Sequence, residues 1–307
     1  MDTFIAWITS AQVKSLINNM FEQGALFSFL GIGVLITFRF FRFPDLTAEG
    51  SYPLGGAVVA ILIVKGLDPY LSTVVAVLAG ATAGMVTALV HTKLKINNII
   101  SGIVIMTAIY SINLRVMGRA NTPLLSSPSV FSRIVQIGEP LGLHVKATSL
   151  TNIIFLLVIL LVLSFLLYSF LRTDLGLAMR ATGENEVMIR SLGVNTDNTK
   201  ILGLAISNGF IALSGALVAQ NHGFADIGMG IGVLVAGAAA VLIGEAIFGD
   251  RTAGWWILAA VVGMIIYRFL VALALRVGFT PTDLKLVTAV LLLIALSVPR
   301  LRVRVSN

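Results

Sequence analysis

From Leu150 to Leu171 the chain reads LTNIIFLLVILLVLSFLLYSFL, without one charged side chain. At 1.5 Å per residue such a helix crosses the roughly 30 Å hydrocarbon layer of a bilayer, where backbone polar groups must be satisfied within the segment itself. Similar runs recur along the sequence. With 57% hydrophobic and 11% charged residues and a mean hydropathy of +0.98, the chain has too little polar surface for a water-soluble core. The 29 glycines fit the same class, since Gly lets membrane helices approach closely. The net charge of +7 is read as loop charge that sets orientation, with no nucleic acid implied. Zero cysteines exclude disulfides, thiolate metal sites and a Cys nucleophile.

The fold class expected is an all-α polytopic membrane protein of about nine spans, eight to ten, with an inverted internal repeat and broken helices. Residues 1–23 form an N-terminal interfacial helix with no cleavable signal peptide. Residues 24–171 hold five spans (24–38, 43–66, 72–90, 96–114, 150–171) and a loop at 119–149 rich in Pro, Ser and Gly. A polar stretch at 172–200 separates these from residues 201–307, with spans near 201–220, 228–248, 252–275 and 284–298 and a basic tail. Placing the densest basic clusters on one side puts Arg39, Arg42, Lys93, Lys95, the central stretch, Arg251, Arg300, Arg302 and Arg304 in the cytoplasm. The C-terminus is then cytoplasmic and the N-terminal helix outside.

The second span carries Asp45, Glu49 and Pro53 with Gly50, Gly55 and Gly56, so its first half is expected to break or kink. Asp45 precedes Gly56-Ala57 by the same offset as Asp226 precedes Gly237-Ala238; Gly84-Met85 and Gly263-Met264 follow at nearly matched distances. The two copies enter the membrane from opposite sides, an arrangement that suits alternating access. No nucleotide-binding G-x-x-x-x-G-K-[ST] occurs; Gly80 to Thr87 lacks the lysine. His91, His144 and His222 stand apart, so no metal site is assigned. No nucleophile–base pair is found inside a span, which argues against a membrane enzyme.

The central stretch is RTDLGLAMRATGENEVMIRSLGVNTDNTK, with a short amphipathic helix at Glu184–Leu192. Together with the following LGLAISNGFIALSGALVAQ it resembles the cytoplasmic loop and next span of permease subunits of bacterial ABC importers, in the family serving branched-chain amino acids, ribose-type sugars and nucleosides. PDLTAEGSYPLGGAVVA and KINNIISGIVIMTAI resemble that family's second and fourth spans, and the likeness runs from Pro44 to Pro299. The resemblance implies a multi-pass protein of the bacterial cytoplasmic membrane. It works as a homodimer or heterodimer, with an extracytoplasmic substrate-binding lipoprotein and a cytoplasmic ABC ATPase that binds the ATP and Mg; this chain has no cofactor of its own. The loop helix is then the coupling helix. Arg180, Ala181, Gly183, Asn185, Glu186, Arg190 and Gly193 match the pattern, Glu184 lies beside them, and Met188 and Ile189 replace the usual small pair, so the receiving ATPase surface is expected to be roomy or apolar.

DLTAEGSYPLGG and NTPLLS are most similar to the tryptophan or tyrosine transport group, so an aromatic amino acid is the favoured cargo. A sugar or nucleoside permease, or an ion-coupled secondary transporter, are the alternatives. Translocation-path or gate candidates are Asp45, Glu49, Tyr52, Asn97, Asn98, Ser101, Tyr110, Asn208, Gln220 and Glu245. Asp45 serves equally as a helix N-cap, Asn97 and Asn98 as a capping pair, and Glu245 as a partner of Arg251. Asp226 starts the counterpart broken span, Arg268 is placed near the outer end of its span, and Trp255 and Trp256 are assigned to the inner aromatic belt.

Overall fold

The computed structural model describes residues 11–125, 127–138, 148–249, 252–280 and 283–305. The helices are α1 (Ala11–Leu35, continued as a π turn Ile36–Phe40), α2 (Ala48–Val64), α3 (Pro69–Lys93), α4 (Asn98–Met117), α5 (Val130–Gly138) and α6 (Thr148–Leu171). After the polar α7 (Asp174–Glu184) and α8 (Glu186–Ser191) come α9 (Thr196–His222), α10 (Val233–Phe248), α11 (Ala253–Val277) and α12 (Leu284–Val305). Seven are long and apolar enough to cross a membrane; α2 and the apolar stretch Leu284–Leu293 of α12 are shorter. The first helix runs unbroken from Ala11, so the expected boundary at residue 23 is not marked by a turn. Among the described residues two short strands stand apart from the helices: β1 (Asn121–Pro123) pairs antiparallel with β2 (Phe224–Asp226), Thr122 opposite Ala225.

Local chemistry sets the helix ends. Asp68 accepts the amides of Tyr70 and Leu71 ahead of Pro69 at the first turn of α3, and Asn195 accepts those of Asp197 and Asn198 at the start of α9. Gly118 closes α4 and Gly223 closes α9 at φ of 68° and 76°, a conformation that favours glycine.

Two helices form the axis of the bundle: the apolar windows of α1 and α9 are 83% and 72% buried, against 22% to 39% for the other long helices. Each axis helix packs on the third helix of the opposite half, α9 on α3 and α1 on α11, and in each half the second helix packs on its own third and fourth. Backbone approach makes these contacts. A Cβ on Gly84 would overlap the Leu204 carbonyl, one on Gly55 the Ala212 carbonyl and one on Gly215 the Tyr52 carbonyl. Ser207 Oγ donates to Gly33 O at 2.7 Å and Ser214 Oγ to Leu26 O at 2.8 Å, tying α9 to α1 where lipid-like surroundings offer no water. The halves reach matching contacts with glycine on different partners. On α3 it is Gly80 and Gly84 that meet α9, whereas α11 is met by Gly24 and Gly31 of α1, and Gly263 faces α10 instead.

The break expected at Pro53 lies elsewhere. Helix α2 continues through Pro53, which sits six residues into it, and the non-helical backbone is the turn at 41–47 before it. A proline near a helix start removes one hydrogen bond and leaves the rest of the ladder intact. The freed Glu49 carbonyl lies against Gly230, where a Cβ would overlap it.

Candidate coupling surface and membrane groove

At the end of the bundle where α1 stops, the short amphipathic helix expected at Glu184–Leu192 is α8, Glu186–Ser191, and a further helix, α7, precedes it. Asn185, at φ −152° and ψ 92°, ends α7 and caps α8, its side chain accepting the Met188 amide at 3.0 Å. Gly193, at φ 86°, ends the turn that follows. Glu186 clamps this unit: it accepts from Lys200 Nζ at 2.7 Å, from Arg190 at 3.0 Å and from Thr196 Oγ1 at 3.2 Å. Burial pushes the Glu186 carboxyl up, but the hydrogen bond and charge of Lys200, with Thr196 and Arg190, outweigh it and hold the group below the ordinary value. Arg190 also reaches Asp197 at 3.3 Å, and Lys93 of α3 lies 3.8 Å from the same acid.

The apolar groups of this unit divide between outward and inward aims. Val187, Met188 and Leu192 are exposed by 80%, 56% and 67%, while Ile189 is 9% exposed. Of the Met188–Ile189 pair expected on the coupling surface, Met188 is the exposed member: one turn of helix cannot aim two consecutive side chains the same way. Gly183 packs on the π turn, where a Cβ would overlap the Phe40 carbonyl. Glu184 pairs with Arg42 at 2.9 Å, both exposed. Arg180 lies 5.7 Å from the Trp256 ring, and Arg39 lies 4.8 Å over the same ring. Glu245 pairs with Arg39 at 3.4 Å; Arg251, its expected partner, lies outside the described residues, as does His144.

Asp45 is fully buried in the 41–47 turn and caps no helix. Its carboxylate accepts from the Thr47 amide at 2.9 Å and from Asn208 Nδ2 at 2.7 Å, midway along α9. Thr47 Oγ1 and Thr87 Oγ1 share a 2.7 Å hydrogen bond beside it. This turn is therefore packed against α3 and α9, and Asp45, a gate candidate by sequence, is enclosed by its own partners. Asp226, its sequence counterpart, sits in the β ribbon, accepting from Gly228 N at 2.7 Å and Asn121 Nδ2 at 3.2 Å.

Glu49 does reach an open space. Its Oε1 accepts the Gly232 amide at 3.1 Å, and with Gly50, Pro53, Met106, Thr107, Tyr110, Asn113, Ile227 and Ile231 it lines a groove of about 190 Å³ between α2, α4 and the 227–231 segment. The remaining candidates are structural in their contacts. Asn97 caps α4 by accepting the Ile99 amide at 2.9 Å, Asn98 accepts the same amide, and Ser101 donates to Asn97 O. Gln220 is buried, bonding Thr73 Oγ1 at 2.9 Å and accepting from Val130 N at 3.0 Å. Tyr52 is buried with its ring 5.9 Å from that of Phe27, and the Arg268 guanidinium stacks on the other aromatic partner of that pair, 3.1 Å from the Phe27 centroid. Arg268 is thus held within the bundle and does not reach out along its surface.

Sequence reading missed a polar tie at the opposite end of the bundle: buried Glu22 accepts from Asn221 Nδ2 at 2.7 Å and Asn152 Nδ2 at 3.1 Å, joining α1, α9 and α6. It also missed Asn113. The signal was available for the latter, since Thr107, Tyr110 and Asn113 recur at i+3 steps in a largely apolar span.

Residues 16–297 match the model of a family described as branched-chain amino acid transport system / permease component. The chain belongs to this family. It is accordingly a multi-pass membrane protein, the permease subunit of an ABC importer, and not an enzyme; such a permease works with an ATPase and a binding protein. Among its relatives, the tyrosine transport system permease protein of Clostridioides difficile (strain R20291) is 41% identical over 94% of this chain and 93% of its own. The probable branched-chain amino acid transport permease protein LivH of Methanocaldococcus jannaschii is 29% identical over 67% of this chain and 68% of its own. A chain of PsaBC from Streptococcus pneumoniae, solved in complex with Fab, superposes with a TM-score of 0.52 at 12% identity, covering 96% of this chain and 94% of that one, a likeness of fold.

Proposed function

We propose that this permease carries an aromatic amino acid, tyrosine foremost, across the bacterial cytoplasmic membrane as one half of a dimer. The end bearing α7 and α8 is cytoplasmic, as is the C-terminus. The two shorter apolar helices, α2 and α12, also span, giving nine spans. Five of them, α1 to α4 and α6, separate the start of one half from the start of the other, an odd number that makes the repeat inverted. The matched packing of α9 on α3 and α1 on α11 supports that reading, and an inverted repeat provides two equivalent packings for alternating access.

The observation that carries the coupling role is the set of exposed apolar side chains Val187, Met188 and Leu192 on a helix held rigid by Glu186, Arg190 and Lys200. Exposed apolar groups on a clamped polar loop are the pattern of a surface awaiting a partner. Here that partner is the cytoplasmic ATPase, with α8 entering an apolar cleft on it. Val187→Glu and Met188→Glu, made in the full complex, are expected to cut import and binding-protein-stimulated ATP hydrolysis together while leaving the permease folded. Wild-type coupling in both variants would remove α8 from the contact. Tyrosine as cargo rests on the 41% identical relative; titrating the partner binding protein with aromatic and branched amino acids, nucleosides and ribose tests it, and tight binding of a sugar alone would overturn it.

A further inference from the structure

The groove between α2, α4 and residues 227–231 holds two acceptors at different stages of satisfaction. Glu49 is half-buried and spends Oε1 on the Gly232 amide; among the described residues its other oxygen has no donor. Asn113 is fully buried and its Oδ1 has no hydrogen-bond partner, while its Nδ2 makes only a 3.5 Å approach to Gly50 O. A buried amide oxygen left unpaired costs about 1–3 kcal/mol, so a donor brought to Asn113 Oδ1 is bound favourably. The other walls are apolar, from Pro53, Met106, Ile227 and Ile231, and the Tyr110 ring stands 52% exposed at the mouth.

We infer that this groove is a transit subsite for the ammonium end of an amino-acid cargo, resting on the permease reading above. An ammonium has three donors and no acceptor. One goes to the free oxygen of Glu49 and one to Asn113 Oδ1, while the cargo's apolar or aromatic body lies along Met106, Ile231 and the Tyr110 ring. A groove open on one side, with a carboxylate already shared with a backbone amide, holds its guest loosely enough to release it, as passage demands. Thr107, exposed on the same face of α4, lies beside the seat of the ammonium.

The absence of cysteine makes the test clean. In proteoliposomes holding permease, ATPase and binding protein, Thr107→Cys is labelled by a neutral thiol reagent under turnover. L-tyrosine is expected to slow labelling about fivefold relative to unloaded binding protein, and Glu49→Gln in the same chain to abolish that protection. Glu49→Gln keeps the acceptor for Gly232, so its assembly is checked by co-purification with the ATPase, while tyrosine uptake falls about tenfold, the loss of one charge-assisted hydrogen bond. Asn113→Leu gives a smaller loss in the same direction. Equal labelling with and without tyrosine, or protection that survives Glu49→Gln, overturns the subsite even if import proceeds. Import of ribose in place of tyrosine by the wild-type complex overturns the amino-acid reading itself and the subsite with it.

Discussion

Helices α4 and α6 are equally open, each with 22% of its apolar window buried, yet their outward faces differ in kind. The face of α6 shows Ile154, Leu157, Val158, Leu161 and Phe165. The face of α4 shows Thr107, Tyr110 and Ser111 among its isoleucines, with Glu49 and Asn113 just behind. Lipid tails reward the first and penalise the second, because a polar group in hydrocarbon loses its water without gaining a partner. Burial alone would have called the two helices alike; the chemistry of what is exposed separates an apolar wall from a face carrying polar groups, the one proposed above to meet cargo.

The most damaging way to test this contrast is to remove the scaffold both faces hang from. Gly84→Leu forces a side chain into the Leu204 carbonyl, and Gly55→Val one into that of Ala212; either should cost more than about 3 kcal/mol of bundle stability, seen as loss of folded protein in detergent. Next comes a charge on each face. Leu161→Arg places it on the apolar wall at a cost of about 2.5–3.5 kcal/mol on insertion scales, whereas Thr107→Arg on α4 should insert far more readily and fail instead in transport. Equal insertion losses in a translocon assay would erase the distinction between the faces. A subtler contrast is Thr107→Leu, expected to leave the melting temperature within about 2 °C and lower uptake, against Leu161→Ile on α6, expected to change neither. The smallest effect concerns the loop that drives both. The Glu186 clamp contributes stability above the ordinary carboxyl value and loses it only as pH falls through the lower folded value, so hydrogen exchange in α8 should stay slow at pH 5 and rise on further acidification.

The coupling stretch and the α4 groove differ in how far sequence could reach them. Asn185 caps, Gly193 ends a turn and Glu186 pairs with Arg190 one helical turn on, all local relations that spacing predicts. The inward aim of Ile189 was not legible in the same way, because which face of α8 turns inward is set by packing against the rest of the molecule and not by spacing within the loop. Asp45 stood equally as gate candidate and cap, because its partner Asn208 is 163 residues distant and no local pattern signals it. Pro53 was given a break that the helix absorbed.

By itself the sequence determined that this is a polytopic helical protein of the permease family, where its polar loop lies and which residues close each helix. These follow from apolar run length, charge and capping, which act over a few residues at a time. Only the tertiary structure decided which acids are plugs, which are clamps and which one faces open space, because Asp45, Glu186 and Glu49 are alike in the chain until α9, Lys200 and α4 are folded against them. In a membrane those partners matter more than position, since a polar side chain there is either paired, or functional, or too costly to keep.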